Sequence, residues 1–202
     1  MASDLIDKTK DFVFELFKNE LDPSFLYHNF KHTERVHKST KEIIEHCEVS
    51  KKEAKALELA ALLHDTGYTQ GADNHEERSV EIATKFLHQQ NVDKNIIKEV
   101  NSCIMATKFN DEPDTKLGKI IRDADASHFA RNSYWETSDY LREELSLLGI
   151  ATYSPKEWRD INIKMFRNEH KYYTDYARAN WTDGKAKNLK KLLKEKKIAK
   201  KI

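Results

Sequence analysis

Residues 50–68 of the chain read SKKEAKALELAALLHDTGY, and this segment sets the expected fold. Ser50 followed by Glu53 is a capping box, a pattern that begins many helices. The leucines at 57, 59, 62 and 63 repeat at the three- and four-residue steps of a helix, and Gly67 is suited to end it. The segment therefore predicts an apolar core helix that carries His64 and Asp65 at its carboxyl end.

The same helical spacing runs through almost the whole chain. Five glycines and three prolines leave little room for strands and hairpin turns. Further helices are expected at about residues 5–18 and 29–47, from 74 and from 93, at 117–131 and 133–148, from 155 and from 182. With no internal repeat and no linker, the pattern predicts an all-α protein, a single domain over residues 1–202 with about eight or nine helices.

The composition excludes several classes of protein. Of the 202 residues 34% are charged and 39% are apolar, and no apolar run approaches the roughly 18 residues of a membrane span. The first residues, MASDLIDKTKDF, lack the apolar stretch of a secretion signal. Two cysteines, Cys47 and Cys103, cannot form a disulfide framework. Collagen-like, disordered, membrane-spanning and disulfide-stapled proteins are excluded, and a soluble cytoplasmic protein is expected.

The formal net charge of +1 hides a basic carboxyl-terminal segment. Residues 185–202 contain nine lysines and one glutamate, a composition that can contact nucleic acid or anionic lipid. Leu189, Leu192 and Leu193, however, lie among these lysines at helical spacing, which favours a helix docked on the rest of the protein. We therefore expect no stable nucleic-acid partner and no membrane association.

Two groups of ionisable residues interrupt apolar segments. His64-Asp65 ends the leucine-rich helix, and Asp123-Ala-Asp125 follows an apolar stretch. Burial of such groups is costly without a partner, and a divalent cation is a suitable one because imidazole and carboxylate both ligate it. Residues two apart on a helix point about 200° apart, so one aspartate should face inward and the other should be solvated or paired with Arg122 or a neighbour. A buried ion pair would explain each feature equally well.

An upstream segment, Tyr27-His28-Asn29-Phe30-Lys31-His32, supplies two further histidines. His28 and His32 are four apart, a spacing that stacks side chains on one face of a helix. If Asn29 caps the helix, His28 lies just outside it and is freer to move. One histidine could then hold a metal while the other delivers a proton near neutral pH.

Taken in order, Tyr27-His28-Asn29-x-x-His32, His64-Asp65-x-Gly67-Tyr68 and Asp123-Ala-Asp125 resemble the HD superfamily of metal-dependent phosphohydrolases. The resemblance covers about residues 25–130. It implies an HD metal-site core in that range, with residues 131–202 as a helical cap and a basic carboxyl-terminal helix.

The resemblance also implies which residues act. The implied metal ligands are His32, His64, Asp65 and Asp125. Asp125 is preferred over Asp123 because family members usually show an Ala-Asp pair followed by a short apolar segment; Asp123 remains the alternative. The YHNxxH and ADxSH patterns are similar to those of cyclic-nucleotide phosphodiesterases, in which the histidine matching His28 protonates the leaving oxygen.

The resemblance also implies roles for residues around this core. Many HD proteins bind a second metal through extra histidines, for which His75 is the best candidate, with Glu76 and Asp123 as possible supporting groups. Capping of the next helix by His75 or Glu76 is the alternative. Lys108 stands near a position where a further histidine is expected; it and Arg122 could instead contact substrate phosphate.

These implications predict hydrolysis of a small phosphoester, a nucleotide or cyclic nucleotide, by metal-activated water, with His28 and Asp65 as catalytic residues. The ligand set does not choose among manganese, iron, zinc, cobalt, nickel and magnesium. The alternative is a nucleotide- or metal-binding sensor with little turnover, which an incomplete second-metal set would favour. An iron oxygenase is a third possibility, and Lys108 counts against it. A monomer and a homodimer both remain open.

Overall fold

The computed structural model describes residues 5–109 and 111–199 of the chain. Over these residues it contains nine α-helices and no β-strand, which confirms the all-α prediction. The helices are α1 (Leu5–Glu20), α2 (Phe30–Ile44), α3 (Lys51–Leu63), α4 (His75–Gln89), α5 (Lys94–Met105), α6 (Lys116–Asp125), α7 (Tyr134–Leu147), α8 (Pro155–Lys164) and α9 (Asp175–Ala199). None of the helices in these ranges is both long enough and apolar enough to cross a membrane.

The chain forms two compact units. The first contains residues 5–23 and 28–125, with α1 to α6, and the second contains residues 24–27 and 126–199, with α7 to α9. The predicted organisation, one domain over 1–202 with a core at 25–130 and a cap at 131–202, stays a prediction. The last lysines of the basic segment, at 200 and 201, lie outside the described residues.

Helix α3 is central to the first unit, because it packs against α1, α2, α5 and α6. Its four leucines are fully buried, as expected for a helix that is apolar around its circumference. The predicted capping box is present: the Glu53 backbone N–H donates to Ser50 Oγ, and the Ser50 backbone N–H donates to the Glu53 carboxylate. The carboxyl end of α3 therefore brings His64 and Asp65 into the interior of the unit.

The second unit has its own apolar core of Tyr134, Ile163, Phe166 and Leu192. Leu189 and Leu193 of α9 pack against this core, as the helical spacing of the basic segment predicts. The docked leucines leave the lysines between them mostly at the surface.

Two helices end earlier than their apolar spacing predicts. Helix α3 ends at Leu63 and not near Gly67; the Thr66 hydroxyl donates to the Leu63 carbonyl at 2.8 Å, and the chain tightens into a 3-10 turn at Thr66–Gln70. Helix α6 ends at Asp125 and not at 131, with a 3-10 turn at Ala126–Ala130. A 3-10 turn keeps the chain coiled after an α-helix ends, so apolar periodicity alone does not locate the boundary.

Two helix starts also differ from expectation. Asn74 precedes α4 as predicted, but its backbone is left-handed (φ 50°) and its side chain makes no capping hydrogen bond. Helix α9 begins at Asp175 and not near residue 182, because the Ala177 backbone N–H donates to the Thr174 hydroxyl at 3.1 Å. A threonine hydroxyl in this position satisfies an otherwise unpaired helix N–H.

Gly67 allows the turn after α3 to lie directly against the start of α4. A Cβ atom on Gly67 would lie 2.0 Å from the His75 carbonyl oxygen and 2.8 Å from the Ser79 backbone nitrogen. We expect Gly67→Ala to lower the free energy of unfolding by about 2 kcal/mol or more, since backbone must move to relieve the clash. Denaturant unfolding measures the loss.

Gly149→Ala is the matched control. Gly149 has a positive φ of 67° and no atom within 4 Å of an added Cβ, so only backbone strain of about 1 kcal/mol is expected. Equal losses in the two variants would contradict the close-packing role of Gly67.

Candidate metal centre

Side chains from three helices of the first unit meet at one buried point. His32 comes from α2, Asp125 from the end of α6, and His64 and Asp65 from the end of α3. His32 Nε2 lies 3.3 Å from His64 Nε2, 3.3 Å from Asp65 Oδ2 and 3.2 Å from Asp125 Oδ1. His64 Nε2 lies 3.2 Å from Asp65 Oδ2 and 3.9 Å from Asp125 Oδ1. The four residues implied by the sequence resemblance are thus brought together.

Hydrogen bonds to backbone groups surround both histidines. His64 Nδ1 lies 3.0 Å from the Ala61 carbonyl oxygen; donation to this acceptor leaves Nε2 directed at the cluster, a common arrangement for metal-binding histidines. His32 lies in the first turn of α2, where the Asn29 side chain accepts hydrogen bonds from the backbone N–H groups of Lys31 and His32. The predicted cap at Asn29 is therefore confirmed.

The cluster has the spacing that a divalent cation requires. Nitrogen and oxygen ligands about 2.1 Å from one ion lie about 3.0 Å apart in octahedral and about 3.4 Å apart in tetrahedral geometry. The ligand atoms of His32, His64 and Asp125 all lie within 4.8 Å of one another, and Asp65 Oδ2 lies close to both histidines. That oxygen is buried and makes no hydrogen bond of good geometry. The residues present therefore fit a bound cation.

The four clustered groups have shifted pKa values: those of the two histidines are raised, and those of the two aspartates are lowered. Burial alone would lower the pKa of His32, but the neighbouring carboxylates of Asp125 and Asp65 raise it to about 9. Burial also opposes protonation of His64, yet Asp65 raises its pKa. Burial would raise the pKa of Asp125, but His32 lowers it to about 2. Burial would also raise the pKa of Asp65, but His64 and His32 hold this pKa well below its usual range.

Cation binding should therefore release protons near neutral pH. With a pKa of about 9, His32 is protonated in the metal-free protein at neutral pH, and a cation must displace that proton from the imidazole. We expect release of about one proton or more per cation, and an apparent affinity that rises with pH until His32 is neutral, above about pH 9. Calorimetry in buffers of different ionisation enthalpy measures the released protons. An affinity independent of pH would contradict His32 ligation.

Asp123 and Asp125 occupy different environments. Asp125, at the end of α6, has a side chain 29% exposed and contacts His32. Asp123 is fully buried, which excludes the solvated alternative for this residue. Its predicted supporting role stays a prediction.

The two aspartates provide a matched pair of variants. Asp125→Asn removes a charged ligand atom, and we expect metal affinity to fall by about 100-fold or more. Asp123→Asn is nearly isosteric and should retain metal, since the carboxylate near the histidines is that of Asp125. Equilibrium dialysis against manganese compares the two. A larger loss of manganese affinity in Asp123→Asn than in Asp125→Asn would identify Asp123 as the ligand.

Aromatic rings border the cluster on one side. The Tyr68 ring stacks on His28, with centroids 4.3 Å apart, and on His75, with centroids 4.0 Å apart. His28 precedes the Asn29 cap, outside α2, and its ring lies 5.8 Å from that of His32. The predicted location of His28 beside a fixed histidine is thus observed, whereas its role as proton donor stays a prediction.

His75 reaches toward the cluster from the start of α4. Its Nε2 lies 3.9 Å from Asp65 Oδ1, and its Nδ1 lies 3.4 Å from Glu76 Oε2 and 3.3 Å from the Ala72 carbonyl oxygen. Burial lowers the pKa of His75, so a neutral imidazole is favoured there. His75 thus lies near Asp65, and Glu76 lies beside His75; their involvement in a second metal site stays a prediction.

Lys108 and Arg122 are engaged inside the protein. The Lys108 ammonium forms an ion pair with Glu77. The Arg122 guanidinium is largely buried and donates hydrogen bonds to four backbone carbonyls, those of Ala106, Lys108, Phe109 and Asp111. Arg122 thereby ties the end of α5 and the following loop to α6. The predicted contacts of both side chains with substrate phosphate stay predictions.

Two features of the site were missed in the sequence. Tyr68 was recognised only as part of a motif, although a tyrosine three residues after a metal-binding aspartate is a signal that it lies at the site. Glu77 is 31 positions from Lys108, and no local pattern indicates that the two side chains pair.

Comparison with known proteins identifies the family of the chain. The HD domain family model matches residues 29–130, a range that begins at the Asn29 cap and contains all four clustered residues. HD domains typically bind divalent metals, and the family consists generally of metal-dependent hydrolases. No curated protein and no solved structure matches the chain. A match over half of the sequence, with a histidine–aspartate cluster at its centre, establishes that the chain belongs to the HD domain family.

Proposed function

We propose that the protein is a metal-dependent phosphohydrolase that cleaves a small phosphoester, a nucleotide or a cyclic nucleotide. The observation that supports this proposal is the convergence of two imidazole nitrogens, 3.3 Å apart, with two carboxylate oxygens that lie 3.2 to 3.9 Å from them, with a further histidine beside them. The family and the ligand chemistry support a divalent cation.

Each residue has a defined part in this proposal. His32, His64, Asp65 and Asp125 would hold the cation. A cation of this kind supplies Lewis acidity toward a phosphoryl oxygen and lowers the pKa of water. The Asp65 carboxylate would also accept a hydrogen bond from the attacking water and orient it. His28 would donate a proton to the departing alkoxide, which is a poor leaving group unless protonated.

The substrate would be a small molecule that approaches from the side of Asp125 and His28, the two least buried members of the group. Nucleic acid and membrane are not proposed as partners. A monomer and a homodimer are both compatible with such a substrate, and a cytoplasmic location remains the expectation from the sequence.

The test begins with metal content. The purified protein is analysed for bound metals, then loaded separately with manganese, iron, zinc, cobalt, nickel and magnesium. Nucleoside monophosphates are assayed by phosphate release and cyclic nucleotides by chromatography, because ring opening releases no inorganic phosphate. Metal-dependent turnover that is lost in His64→Asn supports the proposal. Stoichiometric metal without turnover on any substrate contradicts it.

A nucleotide or metal sensor is the second candidate. Lys108 stands near the position where a further histidine is expected and pairs with Glu77, and the incomplete second-metal set that this implies favours a sensor. Tight nucleotide binding by the metal-loaded protein, with no product under any metal, is the result expected of a sensor.

A further inference from the structure

Three aromatic rings form a stacked group next to the proposed catalytic residues. The Tyr68 ring lies at 27° to His28 and at 16° to His75, and its centroid is 4.3 Å from the first and 4.0 Å from the second. The centroids of His28 and His75 are 6.4 Å apart, so Tyr68 is the member in stacking contact with both. Offset stacking between such rings is favourable by about 0.5–1.5 kcal/mol beyond simple burial.

His28 lies outside the helices, where the Tyr68 ring stacks on it. It lies before the Asn29 cap, in a segment without regular structure, and its side chain is only partly buried. Side-chain orientation outside regular structure depends on packing contacts. The His28 ring stacks on Tyr68 and lies at longer centroid distances from His32 and His75.

Tyr68, in contrast, is held firmly. It lies in the 3-10 turn that directly follows Asp65, and its backbone N–H donates to the Asp65 carbonyl at 3.1 Å. Its side chain is 8% exposed. The neighbouring Gly67 packs against the start of α4, and the ring of His75, the first residue of α4, stacks on the Tyr68 ring. The ring that stacks on His28 therefore lies in the turn that begins directly after Asp65, a residue of the candidate metal centre.

We propose that Tyr68 is a positioning residue that holds the His28 imidazole in a fixed orientation toward the metal centre, so that the His28 proton reaches the leaving oxygen. This inference rests on the proposed function. We assign this role to the Tyr68 ring, because the ring stacks on both histidines.

The test compares Tyr68→Leu with Tyr68→Phe. Leucine removes the aromatic plane, and we expect kcat to fall about 10- to 100-fold, the effect of a small misplacement of a reacting group. KM and metal content should stay near their wild-type values, since no ligand is removed. Phenylalanine keeps the ring and should keep kcat within about threefold of wild type. A large loss in Tyr68→Phe, or a wild-type kcat in Tyr68→Leu, would overturn the proposal.

A double-mutant cycle with His28→Ala separates positioning from general damage. If Tyr68 acts only through His28, Tyr68→Leu should cause no further loss in the His28→Ala protein, because residues that act as a unit are not additive. The same fractional loss in both backgrounds would overturn the proposal. Phe86→Leu is the matched control: Phe86 is a 7% exposed ring stacked on Phe12 with centroids 4.2 Å apart, and it lies 11 residues along α4 from His75.

A second measurement does not depend on turnover. Diethyl pyrocarbonate modifies accessible imidazoles, and peptide mass spectrometry assigns the rate to His28 in the full-length, metal-loaded protein. We expect the His28 rate to rise several-fold in Tyr68→Leu and to be unchanged in Tyr68→Phe and Phe86→Leu, since stacking shields one face of the ring. An unchanged rate in Tyr68→Leu overturns the positioning role. If no phosphoester is hydrolysed but this rate rises, the proposed function fails while the support of His28 by Tyr68 stands.

Discussion

His64→Asn should abolish metal binding and phosphoester hydrolysis together. His64 is 1% exposed, and its Nε2 faces His32 and Asp65 at 3.3 and 3.2 Å. Asparagine can keep the hydrogen bond from the position of Nδ1 to the Ala61 carbonyl, but it has no atom in the place of Nε2. We expect the bound metal to fall below about a tenth of an equivalent and kcat to fall by about 10³-fold or more.

The fold should survive this change, since the hydrogen bond at the end of α3 is preserved and the α3 leucines are untouched. Far-ultraviolet circular dichroism and the unfolding midpoint of the metal-free protein check this point. Comparison must be made without metal, because a ligand that binds only the folded state raises the midpoint of the wild type by mass action.

His37→Asn is the control for loss of a partly buried histidine. His37 also lies in the first unit, on α2, and its Nε2 contacts Glu58 Oε2 at 3.0 Å. This variant should keep full metal content and turnover. Metal binding in His64→Asn at the wild-type level would remove His64 from the centre, and an equal loss in His37→Asn would point to general destabilisation.

The sequence was sufficient for those parts of the structure that depend on local chemistry. The Ser50–Glu53 capping box, the Asn29 cap and the buried leucines of α3 all follow from side chains a few residues apart. The ordered motifs also identified the family and the four side chains that converge. In each case a short pattern determines the local geometry, and the tertiary fold has only to preserve it.

Features that depend on distant partners were beyond the sequence. Arg122 was expected to face a phosphate, yet its guanidinium is satisfied by carbonyls 11 to 16 positions earlier in the chain. Lys108 pairs with Glu77 across a comparable separation. The partners of both cations arise from the packing of α4, α5 and α6. Helix ends were missed for a different reason, since a 3-10 turn preserves the coiled path after the α-helix stops.

His28→Ala should have the opposite signature to His64→Asn: full metal content with little turnover. His28 is not among the grouped residues His32, His64 and Asp125, and its removal leaves the Asn29 cap of α2 in place. Loss of a general acid lowers kcat by about 10²- to 10⁴-fold. Metal analysis tests the retained metal content, and kcat on the best substrate of the panel tests the loss of turnover. His88→Ala, at an exposed position, controls for loss of a histidine.

Leaving-group dependence makes this prediction specific to proton donation. An aryl phosphoester such as a p-nitrophenyl ester departs as a stable phenolate and needs no proton, whereas a nucleoside alkoxide does. The His28→Ala defect should therefore be large on the nucleotide and small on the aryl ester, while the defect of His64→Asn should be large on both. If His28→Ala slows both substrates equally, His28 serves binding or structure and the proton must come from another group. The ratio of the defects on the two substrates thus separates the role of His28 from that of His64.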